Sequence, residues 1–299
     1  MSAGFMKRKS MSDILFDCLN YTLLSIGTLF ILYPLYFVVI ASISDPNMIY
    51  SGHVWLWPKG VTLDGYSRIF HDKMIWTGYM NSILYAVVGT SISVTLTLMA
   101  AYPLARKDFV GRSIFMWFFM FTMFFSGGLI PTYMLVKDLG MINTIWALVL
   151  PGAAGVFNII IVRTFFQSSI PDEMREAAFI DGCSNTRFFL YIVLPLSKPI
   201  IAVMALFHIV GFWNGFFDAL IYMNHESKYP LQLVLRNILV QNQVNSSMMI
   251  DVESYAAKLR VTELIKYGVI IVASLPLLVV YPFLQRYFVK GVMIGSIKG

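Results

Sequence analysis

The sequence predicts an all-α membrane protein with six transmembrane helices. Its 299 residues are 58% hydrophobic and 13% charged, with a mean hydropathy of +0.71, whereas soluble domains are about 25% charged. A membrane-spanning helix needs about 20 mainly apolar residues. Six runs satisfy this requirement, at about residues 14–42, 78–103, 113–136, 144–166, 196–223 and 264–285. They predict one transmembrane domain over 14–290, preceded by segment 1–13 and followed by tail 291–299.

The first apolar run predicts a retained anchor. Lys7, Arg8 and Lys9 precede it, as basic residues precede the core of a signal peptide. The run covers residues 14–42, well beyond the roughly 7 to 15 apolar residues of a signal sequence. Cys18 lies in this run and Cys183 lies far from it, a usage that indicates no disulfide framework.

Several later runs carry helix-breaking residues. Pro103, Pro131 and Pro151 lie inside or at the ends of apolar runs, where neighbouring helices or a water-lined cavity must satisfy the freed carbonyl groups. We therefore expect kinked or broken helices. Gly127 and Gly128 predict a break in the third run, with close helix packing as the alternative explanation.

The basic residues predict the orientation. More of the 22 lysines and arginines lie in or beside segments 1–13, 104–112, 167–195 and 286–299 than in the other connections. Since positive loops face the cytoplasm, both termini are predicted to be cytoplasmic. The net charge of +6 is scattered between apolar runs and forms no stripe that would indicate nucleic-acid binding.

Two long connections, about 43–77 and 224–263, are then external. The first contains Trp55 and Trp57, and loops of this length usually bind something or are disordered. We expect a docking surface for an extracytoplasmic partner. An ordinary solvated loop is the alternative.

Segment 169–195 predicts two short helices in a polar loop. Ser169 and Asp172 match the S-x-x-[DE] pattern of a helix start, which places the first helix near residue 170. Gly182 is suited to end it in the left-handed conformation. A second helix is predicted from about residue 185 until Pro195 stops it.

This loop offers a compact apolar surface. Ala177 and Ala178 allow close approach, and Phe179, Phe188 and Phe189 are predicted to be apolar anchors. Such a knob fits a groove on another protein. An amphipathic hairpin resting on the membrane is the alternative.

The loop also resembles a known motif. Glu176-Ala177-Ala178, then Gly182, Ile192 and Leu194-Pro195, is similar to the EAA loop of ATP-binding-cassette (ABC) import permeases, the binding-protein-dependent, MetI-like family. The resemblance implies the MetI-like permease fold and a coupling helix that sits in a cleft of an ATPase subunit. It assigns ATPase coupling to Glu176, Ala177, Ala178, Asp181 and Gly182, with Phe188 and Phe189 as anchors.

The same resemblance implies the partners. They are a second homologous permease subunit, two cytoplasmic ABC ATPase subunits and an extracytoplasmic solute-binding protein, in a bacterial cell membrane. The chain contains no Gly-Lys dipeptide and therefore no P-loop, so ATP and Mg are expected on the ATPase subunits. No histidine spacing indicates a metal site and no Ser/His/Asp arrangement indicates catalysis, so we expect a transport subunit and not an enzyme.

Other stretches resemble carbohydrate permeases. They are LPLSKP at 194–199 and FWNGFF at 212–217, while FSGGLIPTYMLVKDL and YFVKGVMIGSIKG are similar to the LplC-like branch. Ala219-Leu220 departs from the Pro-Leu pair common in sugar permeases. The resemblance implies import of oligosaccharides or polysaccharide fragments by ATP-driven alternating access.

A hydrophilic solute needs polar groups at membrane depth, and sugars also stack on aromatic faces. The predicted substrate-pathway residues are therefore Trp213, Asn214, Phe217, Asp218, Asn81 and Asn158. Packing remains the alternative for Trp213, and an interfacial position is the alternative for Asp218. For Asn81 and Asn158 the alternative is hydrogen bonding that joins helices.

Two other functions stay open. An ABC permease for amino acids or osmolytes would share the EAA loop. A secondary transporter driven by an ion gradient would need several intramembrane ionisable groups, of which Asp218 and the shallow Asp17 are available.

Overall fold

The computed structural model describes residues 10–247, 265–279 and 281–282, and these residues form helices and connecting loops without strands. The chain divides into two compact units. One comprises 1–71 with 242–272, and the other comprises 72–241 with 273–299. The predicted tail 291–299, the basic cluster before residue 10 and the part of loop 224–263 beyond residue 247 lie outside the described residues.

The first unit is built on one long helix. Its helices are α1 (Met11–Ser42), α2 (Pro46–Tyr50) and α3 (Asp64–His71). The Asp13 carboxylate accepts the Ser10 backbone N–H at 3.1 Å and so satisfies a free donor at the start of α1. Asp45 begins α2 by accepting the Asn47 N–H at 2.8 Å.

The second unit contains the remaining helices up to residue 241. They are α4 (Lys73–Ala105), α5 (Arg112–Phe124), α6 (Leu129–Asp138), α7 (Ile145–Val149), α8 (Val156–Ser169), α9 (Asp172–Ile180), α10 (Asn185–Phe188), a π-helical turn (Phe189–Val193), α11 (Leu194–Leu196), α12 (Lys198–Asn214), α13 (Phe217–Tyr222), a 3₁₀ turn (Glu226–Lys228) and α14 (Leu231–Ser247). A further apolar helix, α15, covers Ile265–Val279. Both α14 and α15 are divided between the two units.

Helix α4 is central to the second unit and packs against α8 and α12. Small buried residues on α4, including Ser93 and Ala101, allow this close approach. At Gly89 an added Cβ atom would lie 2.5 Å from the Phe212 ring. The core beside it contains Phe166, Phe188 and Met204.

Two of the described helices, α1 and α4, are long and apolar enough to cross a membrane unbroken. Two bent pairs add a span each if they are counted as single broken spans: α5 with α6, bent by 111°, and Asn185–Leu196 with α12, bent by 79°. The predicted break at Gly127 and Gly128 is confirmed, because it separates α5 from α6. The count of six spans stays a prediction.

The fourth and fifth predicted runs are also interrupted. Run 144–166 is divided between α7 and α8, and run 196–223 between α12 and α13 at Gly215 and Phe216. The sixth run, 264–285, is helical over its described residues.

Candidate functional site

The polar loop between α8 and α12 contains the two short helices that its sequence predicts. The start of the first differs, because α8 continues through Ser169 and α9 begins at Asp172 with Pro171 as its N-cap. The Ser169 hydroxyl is buried without a hydrogen-bond partner. The predicted capping role of Ser169 is therefore wrong, since this residue ends one helix instead of starting the next.

The end of α9 agrees with the sequence prediction. Gly182 has a φ of +77°. The Gly182 N–H donates to the Phe179 carbonyl at 3.0 Å and the Cys183 N–H donates to the Ala178 carbonyl at 2.9 Å. These two bonds form a Schellman motif, in which a left-handed glycine ends a helix and satisfies its last carbonyls.

The second helix extends further than predicted. It begins after Ser184, whose hydroxyl accepts the Arg187 N–H at 3.4 Å. It passes Pro195 and ends at Leu196. The π-helical turn just before Pro195 widens the helix, which relieves the clash a proline ring makes with the preceding turn. The bend into α12 therefore comes at Ser197.

Two of the three predicted phenylalanine anchors face inward. Phe188 is 1% exposed, and the Phe189 ring lies 4.8 Å from that of Tyr102 on α4. The prediction that Phe188 and Phe189 form an outward apolar surface is wrong, because both pack in this chain's own core. Phe179 stays 37% exposed.

The outward face of the loop carries the other predicted coupling residues. Glu176, Ala177, Asp181 and Gly182 are exposed, whereas Ala178 packs partly against the core. Sequence reasoning missed Ile180, which is 87% exposed at the tip of α9. The sequence carries no clear signal for this exposure, because a large apolar residue on a short amphipathic helix is expected to face the core.

A charge network that the sequence did not reveal holds this loop to the end of α4. The Asp108 carboxylate accepts hydrogen bonds from the Arg106 guanidinium, with Nε at 3.0 Å, and from Nη1 of Arg175 on α9. The hydrogen bond from Arg106, with help from Arg175, holds the pKa of the Asp108 carboxyl well below its usual range. Asp108 is therefore ionised whenever it bridges the two arginines.

Further bonds reinforce the same junction. Lys107 Nζ lies 2.8 Å from the Asp172 carboxylate at the start of α9. This hydrogen bond raises the pKa of Lys107 and lowers the pKa of Asp172. Arg106 also donates through Nη1 to the Asn185 side-chain oxygen at the start of α10. Both short helices are thus tied to the segment that follows α4.

A second region holds the predicted pathway residues. A cavity of about 220 Å³ lies among α4, α12 and α13, and its lining includes Tyr85, His208, Phe212 and Asp218. Asp218 lines this space, and its role in the substrate pathway stays a prediction. His208 was not predicted. Its signal is the spacing of residues 208, 212 and 215, which repeats on one helical face.

The other predicted pathway residues lie at different places and do not line this cavity. Asn158 does not line the cavity, and its Nδ2 lies 3.2 Å from Nε2 of His208. Asn81 donates to the carbonyls of Ser227 and Tyr229 at 2.8 and 3.0 Å, which is a helix-joining role. Asn214 and Phe217 are exposed but do not line this cavity.

Trp213 is a packing residue, so the prediction that it lines the substrate pathway is wrong. It is 3% exposed, its ring lies 5.6 Å from that of Tyr79, and its indole N–H donates to the Ala273 carbonyl at 3.0 Å. Because its ring is buried and its indole N–H is bonded within the protein, Trp213 does not line the cavity.

Residues 93–294, more than half of the chain, match the family described as binding-protein-dependent transport system inner membrane component. The chain belongs to this family. The predicted resemblance to MetI-like permeases is therefore confirmed, and with α1 and α4 it makes this binding-protein-dependent permease a membrane protein.

Individual relatives of the permease are similar over nearly their whole lengths. The Bacillus subtilis (strain 168) polygalacturonan/rhamnogalacturonan transport system permease protein YtcP is 41% identical, covering 97% of this chain and 100% of the relative. Protein LplC of the same organism is 42% identical over 95% of each chain. The predicted likeness to the LplC-like branch is confirmed.

The fold of the permease also matches a solved structure. A chain from the crystal structure of a bacterial ABC transporter involved in the import of the acidic polysaccharide alginate has a TM-score of 0.84 and 32% sequence identity. The match covers 95% of this chain and 100% of that chain. The predicted MetI-like permease fold is therefore confirmed.

Proposed function

We propose that this chain is one membrane subunit of a bacterial ABC importer for carbohydrates, taking oligosaccharides or polysaccharide fragments. The names of its relatives support this substrate class, since they refer to polygalacturonan, rhamnogalacturonan and alginate. The chain works with a second permease subunit, two ATPase subunits that bind ATP and Mg, and an extracytoplasmic solute-binding protein. Hydrolysis takes place on the ATPase subunits.

One observation carries the proposal: segment 169–195 has an outward face free for contact and an inward face fixed to the membrane helices. Glu176, Asp181 and Gly182 are exposed on α9 and its end, while Phe188 is buried beneath them. A protrusion held in this way moves as a unit with the helices behind it. The loop is then the coupling element, gripped by an ATPase subunit on the cytoplasmic side.

Movement of the loop reaches the membrane helices by two routes. The Asp108 network joins α9 to the end of α4, and the stacking of Phe189 on Tyr102 joins the second short helix to α4. Because α4 also packs along α12, displacement of the loop shifts the two helices that border the 220 Å³ cavity. Alternating access of that cavity follows.

The cavity provides groups suited to a sugar. Asp218 accepts hydrogen bonds from hydroxyls, His208 can donate or accept, and the ring of Phe212 offers an apolar face. We assign Asp218 and His208 to the substrate pathway and keep Asn214 and Phe217 as exposed candidates on the same connection.

The coupling role is tested by Glu176→Lys and Gly182→Asp in the complete transporter, reconstituted with its solute-binding protein. We expect each variant to insert normally, to keep basal ATPase activity and to lose stimulation by solute. Asp138→Lys is the matched control, because it reverses an exposed acidic residue at the far end of α6. Normal stimulation in both loop variants would contradict the proposal.

A further inference from the structure

Loop 52–58, which we name the tryptophan loop, presents three consecutive large apolar side chains on the surface of the protein. Trp55, Leu56 and Trp57 are 69%, 61% and 76% exposed. Val54 immediately before them is 4% exposed. The protein therefore buries one neighbour and leaves three larger apolar residues uncovered, so the first unit's own core does not account for them.

The tryptophan loop has a defined conformation. Its base is closed by two backbone bonds between chain segments, from the Asp45 N–H to the Lys59 carbonyl and from the Thr62 N–H to the Ile43 carbonyl, each 3.0 Å. Within it, the Trp55 indole N–H donates to the Gly52 carbonyl at 2.5 Å. The polar atom of Trp55 is thus satisfied inside the loop while its apolar ring faces outward.

The loop also folds back along α1. The Tyr33 hydroxyl donates to the Trp55 carbonyl at 3.4 Å, and the Tyr36 hydroxyl donates to the Leu56 carbonyl. Both tyrosines lie before the last turn of α1, which ends at Ser42. The exposed triplet is therefore level with part of a membrane-spanning helix and not with the aqueous loop beyond it.

Helix geometry gives the depth. At about 1.5 Å per residue, the 32 residues of α1 extend about 48 Å, against a hydrocarbon core of about 30 Å. A centred α1 leaves about 9 Å outside the core at each end. Tyr36 is six residues before Ser42, about 9 Å from the helix end, and Tyr33 is about 14 Å from it. The carbonyls they hold lie at the boundary between hydrocarbon and headgroups.

We propose that the tryptophan loop is a membrane-interface anchor whose occupant is lipid, with Trp55, Leu56 and Trp57 resting at the acyl-headgroup boundary of one leaflet. Tryptophan and tyrosine favour this zone because an apolar ring and a polar atom are both accommodated there. The exposed Lys59 follows the triplet and places its charge in the headgroups. This anchor fixes where α1 ends in the membrane and removes Trp55 and Trp57 from the predicted partner-docking surface.

Spin labelling in the complete transporter, reconstituted in liposomes, tests the anchor. In a Cys18→Ser, Cys183→Ser background, a nitroxide is attached through Trp57→Cys or, as the control, through Ser51→Cys at the exposed residue directly before the loop. We expect the label at 57 to collide more with dissolved oxygen than with a water-soluble nickel chelate, and the label at 51 to show the reverse. Nickel access at 57 equal to that at 51 would overturn the proposal, and so would protection from both reagents, which would indicate a protein partner.

Native fluorescence provides a second test without a label. Brominated lipids quench tryptophans that contact acyl chains, so Trp55→Phe combined with Trp57→Phe should lower the lipid-quenchable emission of the complex. Trp213→Phe is the control, because that indole is buried in protein, and it should leave the quenchable part unchanged. Equal quenchable emission in wild type and the double variant would contradict lipid contact. Neither readout depends on transport, so a failure here is distinct from a failure of the proposed carbohydrate import.

Discussion

At the scale of single residues, Asp108 shows how one carboxylate can join two separate segments. Arg106 belongs to the segment that follows α4, and Arg175 belongs to α9. Both guanidiniums donate to Asp108. Without that carboxylate, two positive charges would face each other across the junction. An ion pair near the surface contributes little to stability by itself. The main effect of the bridge is therefore to hold the loop in place.

We predict that Asp108→Asn weakens coupling. Asparagine keeps the shape of the side chain but leaves the two arginines without a counter-charge, so solute-stimulated ATPase activity should fall several-fold while basal activity persists. The measurement is ATPase activity of the reconstituted complex with and without loaded solute-binding protein. Asp138→Asn, at an exposed carboxylate on α6, serves as the control and should leave stimulation intact.

The pH dependence of that variant follows from the lowered pKa of Asp108. A group whose pKa is depressed on folding stabilises the folded state above its unfolded pKa, about 3.9 for aspartate, and loses this effect as the pH falls through the folded pKa. The difference in melting temperature between wild type and Asp108→Asn should therefore stay constant from about pH 5 to 8. It should shrink below about pH 4. A difference that changed around neutral pH would contradict the bridge.

At the scale of helices, the breaks in the spans follow local backbone requirements. Gly128 combines a φ of +85° with a ψ of −179° at the start of α6, a region that in practice admits glycine alone. The neighbouring Gly127 has no such constraint, and a Cβ atom there would lie 3.7 Å from Pro131, an ordinary contact. The 111° bend between α5 and α6 therefore depends on Gly128 and not on Gly127.

We predict that Gly128→Ala lowers the free energy of unfolding by about 1 to 3 kcal/mol, the cost of a side chain in a strained backbone region. Gly127→Ala should change it by much less. Thermal unfolding of the purified protein in detergent measures both. Similar destabilisation by the two substitutions would argue against a specific role for the backbone of Gly128.

The sequence predicted those features that depend on local chemistry. The left-handed end at Gly182 and the break at Gly127 and Gly128 both follow from the conformational freedom of glycine. The inward direction of Phe188 did not follow, because residues 188–194 are all apolar or aromatic and their pattern does not show which face meets the core. The Asp108 bridge was missed since residues 108 and 175 are far apart in sequence. The sequence predicts a stop at Pro195 because the preceding π-helical turn, which accommodates the proline, leaves no mark in the sequence.

At the scale of the whole molecule, α1 indicates that the chain works in an assembly or in lipid. Its most apolar window is 6% buried within the chain. The family supplies the context, since its members are inner membrane components of binding-protein-dependent systems. An energy source within this chain would require intramembrane ionisable groups that bind and release a coupling ion.

The cavity does not supply such a set among its described lining residues, where Asp218 is the acidic side chain and His208 the basic one. We therefore predict that proteoliposomes containing this chain alone, under a proton or sodium gradient, take up no labelled oligogalacturonides or alginate oligosaccharides. Uptake should appear when the second permease, the ATPases, the solute-binding protein and ATP are all present. If Glu176 couples the loop to the ATPase as proposed, the complete complex carrying Glu176→Lys should also lose this uptake, although the substitution leaves the cavity residues unchanged. Gradient-driven uptake by the single chain would identify a secondary transporter and contradict the ABC importer.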